Sequence, residues 1–221
     1  MCLKRFINYP AAAAALLLSA VLGVAGCATS NPEPATDVDA DVAPAMVAGQ
    51  ATLPLAPAGA VTMFEQATAA MATDDFAAAE RLLQQFLQSY PSYAAAYVNL
   101  AIIYASNDDD AAVQQAIDAA LAVDPAYAPA LNQQGLLFRR NGKFLEAEAA
   151  YLKAVTASPD YALAHYNLGV LNELYLQRLD IALQHFERYQ ELVGEDKQVE
   201  KWILDLKRRL AASQRTADVA E

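Results

Sequence analysis

Few side chains in this 221-residue chain are of types that do chemistry, and those few are poorly placed for it. His165 and His185 are the two imidazoles. Neither has a cysteine or a further histidine at ligand spacing, so packing or solvation is expected of them rather than metal binding. The run Asp108, Asp109 and Asp110 lacks the glycine and distal glutamate of a calcium loop, which leaves a helix-capping turn. No nucleophile motif, phosphate-cradling loop or glycine fingerprint occurs in the chain. We therefore expect no catalytic residue, no metal, no cofactor and no small-molecule substrate. The chain reads as a binding protein rather than an enzyme.

The elements that carry these residues follow from a repeat. Pro91, Tyr93 and Ala94 recur as Pro125, Tyr127 and Ala128, then as Pro159, Tyr161 and Ala162, a period of 34 residues. A unit of this length is a helix pair that cannot bury its own apolar face, so neighbours stack into a solenoid and expose a continuous surface. The blocks run 60–93, 94–127, 128–161 and 162–196. Small residues recur where two helices must touch: Ala67, Ala101, Gly135 and Gly169 at the eighth position, and Ala79, Val113, Ala147 and Ala182 at the twentieth, the last displaced by one inserted residue. A larger side chain there would force the helices apart at a cost of about 1 to 3 kcal/mol. Large apolar residues stand at complementary places: Met63, Tyr97 and Leu131 in first helices, and Leu83, Ile117, Tyr151 and Phe186 in second helices. Turns fall at Thr73 to Asp75, Asn107 to Asp110, Asn141 to Gly142 and Gln177 to Asp180, where Asp and Asn can cap the next helix.

This pattern resembles the tetratricopeptide repeat family. The third block matches almost throughout, with Leu131, Gly135, Phe138, Ala147, Tyr151, Ala154 and Pro159. The fourth keeps Leu168, Gly169, Ala182 and Phe186 but has His165 at the bulky position and no terminal proline. The first departs most, with Gln66, Ala70 and Phe86 off pattern, as an end unit does. The resemblance implies an all-α superhelical solenoid of four helix pairs whose first helices line a concave, peptide-binding face. Carried over by position, that face holds Phe64, Thr68 and Met71, then Val98, Asn99, Ile102 and Ala105. It continues through Asn132, Gln133, Leu136, Arg139 and Arg140 to Tyr166, Asn167, Val170 and Glu173. Asn99, Gln133 and Asn167 would form a ladder of amides able to donate to and accept from a partner's backbone. Arg139 and Arg140 would either hold a partner carboxylate through paired hydrogen bonds or stay solvated at the helix end.

Residues 197–212 read as a further helix capped by Asp196, with Val199, Trp202, Ile203, Leu206 and Leu210 on the face that seals the last repeat. Lys201, Lys207, Arg208 and Arg209 lie opposite, as a solvated capping face or a second, basic docking patch. Residues 213–221 read as a disordered tail.

Residues 1–26 stand apart. Lys4 and Arg5 precede an apolar run from Ala11 to Ala25, with small residues before Cys27, the layout of an export signal. The run is too short for a spanning helix. Val24, Ala25, Gly26 and Cys27 resemble the bacterial lipobox, which implies a diacylglycerol on the Cys27 thiol and hence a membrane anchor. Residues 27–59 hold Pro32, Pro34, Pro44, Pro54 and Pro57 and no aromatic residue, and read as a disordered tether. Its coil dimension is about 30 Å and its extended reach about 90 Å. By that resemblance Cys2 would leave with the leader and Cys27 would be acylated, so no thiol would remain for a disulfide or a metal.

Loss of Lys4 and Arg5 leaves 13 basic against 26 acidic residues, a net charge of −13, which disfavours nucleic acid and anionic headgroups as partners. Ala28 follows the lipidated cysteine where lipoproteins retained at the inner membrane often carry Asp, which points by resemblance to the outer membrane, facing the periplasm. The combined reading is a membrane-anchored periplasmic scaffold for a protein partner of the cell envelope, in a TonB-like energy-transduction system. The alternatives are a pilotin-like factor for type IV pilus secretin assembly and a cell-wall or polysaccharide assembly adaptor.

Overall fold

Nine α-helices and no strand occur among the residues that the computed structural model describes, 57–220, with side chains through Arg215. Residues 1–26, read above as a leader, Cys27 and the stretch up to residue 56, read as a tether, lie outside them. The helices are α1 (Ala58–Ala72), α2 (Phe76–Ser89), α3 (Ala94–Ser106), α4 (Asp110–Val123), α5 (Ala128–Arg140), α6 (Phe144–Ala157), α7 (Ala162–Leu174), α8 (Leu179–Val193) and α9 (Lys197–Ala220). The first eight pack as adjacent pairs, each pair stacks on the next, and α5 also touches α3 and α7. This is the all-α solenoid of four helix pairs with a terminal helix laid against α8.

Two boundaries differ from those expected. Helix α1 takes in Ala58 and Gly59, which were assigned to the tether. Helix α9 continues to Ala220 through the stretch read as a disordered tail. No proline or glycine interrupts it, and the Arg215 Nε–H donates to the Ala211 carbonyl at 3.1 Å.

The pairing of each repeat rests on one seat. Leu83, Ile117, Tyr151 and Phe186 stand at the same register of α2, α4, α6 and α8 and are at most 1% exposed. Each is matched to a small residue of the first helix: Ala67, Ala101, Gly135 and Gly169, respectively. In the third and fourth repeats the match is tight. A Cβ added to Gly169 would stand 2.6 Å from Phe186 Cδ1, and one added to Gly135 would collide with the Tyr151 ring. The two aromatic rings therefore lie directly on backbone, so these glycines serve close approach rather than a turn.

Turns between the helices of a pair repeat one device. Asp74, Asp108, Gly142 and Gln177 occupy equivalent places and share a left-handed backbone, with φ of 57°, 55°, 71° and 54°. The next residue is the N-cap of the second helix. Asp75 Oδ1 accepts from the Ala78 N–H at 3.1 Å and Asp109 Oδ1 from the Ala112 N–H at 3.0 Å, as the capping reading expects. Lys143 and Arg178 hold that place in the later repeats and make no side-chain cap.

Among the described residues the Tyr151 hydroxyl is buried without a hydrogen-bond partner, and burial pushes its pKa upward. Its desolvation is uncompensated. Tyr151→Phe keeps the ring in its seat and removes the orphan group. We expect it to raise stability by about 1 kcal/mol, read from the urea midpoint. An unchanged or lower midpoint would mean that the hydroxyl is satisfied.

Candidate functional site

The first helices place the expected face unevenly. On α1, Phe64 is half-buried with its ring 5.5 Å from that of Phe86. On α3, Val98 is fully buried in a cluster with Ala130 of the next repeat, Asn99 is 5% exposed and Ile102 is half-buried. On α5, Asn132 is buried, Gln133, Leu136 and Arg139 are half-buried and Arg140 is exposed. On α7, Asn167 and Val170 are buried and Tyr166 is half-buried.

The amides do not form one ladder. Asn167 Nδ2 donates to Asn132 Oδ1 at 2.8 Å, and the two side chains are 5% and 2% exposed, so this bond ties α7 to α5. Asn167 is thus engaged within the protein, which corrects its expected place facing a partner. Asn99 and Gln133 make no hydrogen bond among the described residues and keep their full donor and acceptor capacity.

Arg140 is engaged as well. Its guanidinium donates to Asp110 Oδ1, donates to the Ala105 carbonyl at 3.2 Å and lies 3.9 Å from Asp108 Oδ1. Beside it, the Asn141 amide donates to Asp110 Oδ2 at 2.7 Å. Arg140 therefore clasps the α3–α4 turn to the end of α5 and is neither a free carboxylate receptor nor simply solvated. The acidic run that it meets has a second use beyond capping. Arg139 makes no ion pair among the described residues, and its charge partly offsets the burial that pushes the Tyr151 and Tyr166 hydroxyls upward.

Helix α9 covers most of the repeat-four portion of the face. Val170 shares a core with Val199, Ile203 and Leu206. The Tyr166 ring lies 6.0 Å from Trp202 and 5.3 Å from Tyr189. Glu173 accepts from Arg209 at 2.8 Å, a contact that counters the upward push of burial on its carboxyl. Lys207 pairs with Glu187 at 2.8 Å. Of Lys201, Lys207, Arg208 and Arg209, two thus hold the helix down, a use that neither the solvated-cap nor the docking-patch reading provides. The open part of the face lies on α1, α3 and α5.

The two histidines lie on α7 and α8, the first and second helices of repeat four, and the fold brings them together. Their Nδ1 atoms are 3.1 Å apart, and His165 Nε2 lies 3.1 Å from the Pro159 carbonyl oxygen. Burial lowers both pKa values, with the Pro159 carbonyl opposing the shift at His165; His185, burdened also by its neighbour, is lowered to about 4. The signal that could have found the pair is register, because the two residues occupy places that face one another within a repeat. Among the described residues no group of three or more His, Cys, Asp or Glu could hold a metal ion, and no helix is long and apolar enough to cross a membrane.

Asn132→Ala strands the Asn167 amide and should lower stability by about 1 to 3 kcal/mol in urea unfolding. Gln133→Ala, one residue away, should stay within about 0.5 kcal/mol of the parent. Equal losses would show that Gln133 is also structural.

The tetratricopeptide repeat family model matches residues 64–129 and 132–197, more than half of the chain. No curated protein sequence matches significantly. Among solved structures, pilF of Pseudomonas aeruginosa is similar at 23% identity and a TM-score of 0.61, over 71% of this chain and 72% of that one. MamA is similar at 16% identity and a TM-score of 0.54, over 72% and 86%. The first repeat domain of Spaghetti (RPAP3), bound to an HSP90 peptide, is similar at 20% identity and a TM-score of 0.51, over 55% and 98%. At these identities the likeness is one of fold. With its helix pairs, their glycine and alanine seats and the matched span, the chain belongs to the tetratricopeptide repeat family.

Proposed function

We propose that the chain is a non-catalytic scaffold of the cell envelope that holds a protein partner on the inner face of α1, α3 and α5. One observation carries the reading: half-buried Phe64, Ile102 and Leu136 alternate there with Asn99 and Gln133, two side-chain amides without hydrogen bonds among the described residues. Apolar area supplies affinity and unspent amides set register, which suits an extended or helical peptide. Export and a diacylglycerol on Cys27 place the scaffold at a membrane, by our reading the outer membrane facing the periplasm. The partner belongs to a TonB-like energy-transducing complex. The second reading is secretin assembly in a type IV pilus system.

A photo-crosslinker at Gln133, in the full-length chain in intact cells, should capture one envelope protein, and Leu136→Asp should abolish the capture. The same probe at Leu152, which is 44% exposed on α6, should capture nothing. Equal capture from both sites, or none from Gln133, would contradict a partner on this face. Deletion should impair uptake through outer-membrane receptors and leave secretin multimers intact; the reverse outcome selects the pilus reading. Cys27→Ser should release the protein from the membrane fraction, and continued association would contradict the anchor.

A further inference from the structure

The imidazole pair of repeat four stands where the other repeats are apolar. The equivalent places hold Met63 and Leu82, Tyr97 and Ala116, and Leu131 and Ala150. His165 Nε2 faces a carbonyl oxygen, which can only accept, so that nitrogen carries the proton. A neutral His165 then offers a bare Nδ1, and the hydrogen between the rings belongs to His185 Nδ1, which donates across 3.1 Å. The ring centroids are 5.4 Å apart, so the two nitrogens meet nearly head-on. That is the arrangement of an N–H···N hydrogen bond and not of two lone pairs converging on an ion beside them.

We propose that the His165–His185 bond is a proton-sensitive latch that joins α7 to α8 while both rings are neutral and releases repeat four when they take up protons. The first proton leaves an imidazolium in a half-buried seat without a free counter-charge. The carboxylate that acts on His165, Asp160 of the α6–α7 turn, already accepts from Arg188 of α8 at 2.6 Å, and Arg188 itself repels the new charge. The charge that acts on His185 is that of His165. A second proton removes the remaining lone pair and sets two N–H groups face to face. Phe186, next to His185, lies 5.5 Å from Trp202, so loosening α8 also loosens the seat of α9.

Both rings titrate below the ordinary histidine range when folded and within it when unfolded, so the unfolded chain takes up protons first as the pH falls. The latch contributes fully above about pH 6.5 and is lost as the pH falls toward the folded values. Trp202 is the chain's single tryptophan and reports on this end of the fold. The test is urea unfolding of the full-length protein at pH 7 and pH 5, followed by Trp202 fluorescence, beside the double variant His165→Leu with His185→Ala, which installs the pair of repeat three. The folded-to-unfolded ratio of the parent should drop about tenfold more than that of the variant. Equal drops would assign the acid sensitivity to carboxylates and overturn the latch. Should the variant not fold, nitrogen NMR of the parent's imidazoles decides. Nε2–H on His165 and Nδ1–H on His185, titrating as a coupled pair, are expected; two rings titrating independently near pH 6.5 overturn the proposal.

Discussion

How closely the two helices of a repeat approach is set by one contact, the seating of a large second-helix side chain on a small first-helix residue. Tyr151 on Gly135 and Phe186 on Gly169 are its tight form, with an aromatic ring lying on bare backbone. Ala67 with Leu83 and Ala101 with Ile117 are its aliphatic form, in which the methyl and the smaller partner change together. Each seat buries the second-helix side chain completely or nearly so. A closely packed interior transmits any change of volume there to the neighbouring elements. The spacing of the two helices within each pair, and thus the thickness of each repeat, follows from these seats.

Polar ties then fix one repeat against the next. Asn167 to Asn132, Arg140 to the α3–α4 turn, Arg178 to Glu148 at 2.8 Å and Arg188 to Asp160 all cross between repeats or their connecting turns. They concentrate in the second half of the array, where the face is also capped. Helix α9 lays Trp202, Ile203 and Arg209 over residues that would otherwise line repeat four. Closing that end protects the apolar edge of the array and leaves the open face to the first three repeats. The division of labour among the amides has the same origin. Asn132 and Asn167 are spent on holding the array together, and Asn99 and Gln133 remain unspent.

The Pro-x-Tyr-Ala period and the small and large residues at fixed register were legible because they recur every 34 residues. Helix pairs, their turns and the Asp75 and Asp109 caps could be read from those residues directly. What could not be read was which polar side chain meets which. Asn132 and Asn167 are 35 apart, Arg140 and Asp110 are 30 apart, and His165 and His185 are 20 apart. The first two separations carry no local signal, because only the superposition of one repeat on the next makes those residues neighbours, whereas the histidines meet across the two helices of a single repeat. Position in the family pattern marked Arg140 and Asn167 as facing outward, but a side chain that long or that polar turns to whatever charge or amide the adjacent repeat supplies. The reach of α9 was hidden for a related reason: helix propensity near a chain end is weak evidence against fraying until a packed face anchors it.

The central claim, that size matching in the seats sets the helix spacing, is tested most directly by a double-mutant cycle on Gly135 and Tyr151. Adding a methyl with Gly135→Ala overfills the seat and should cost about 1 to 3 kcal/mol. Combining it with Tyr151→Leu recreates the Ala67 and Leu83 pair of repeat one. The account predicts that the double variant loses markedly less stability than the two single losses combined, with a coupling of about 1 to 3 kcal/mol. Losses that simply add would show that the two positions do not share a seat, and would contradict the account.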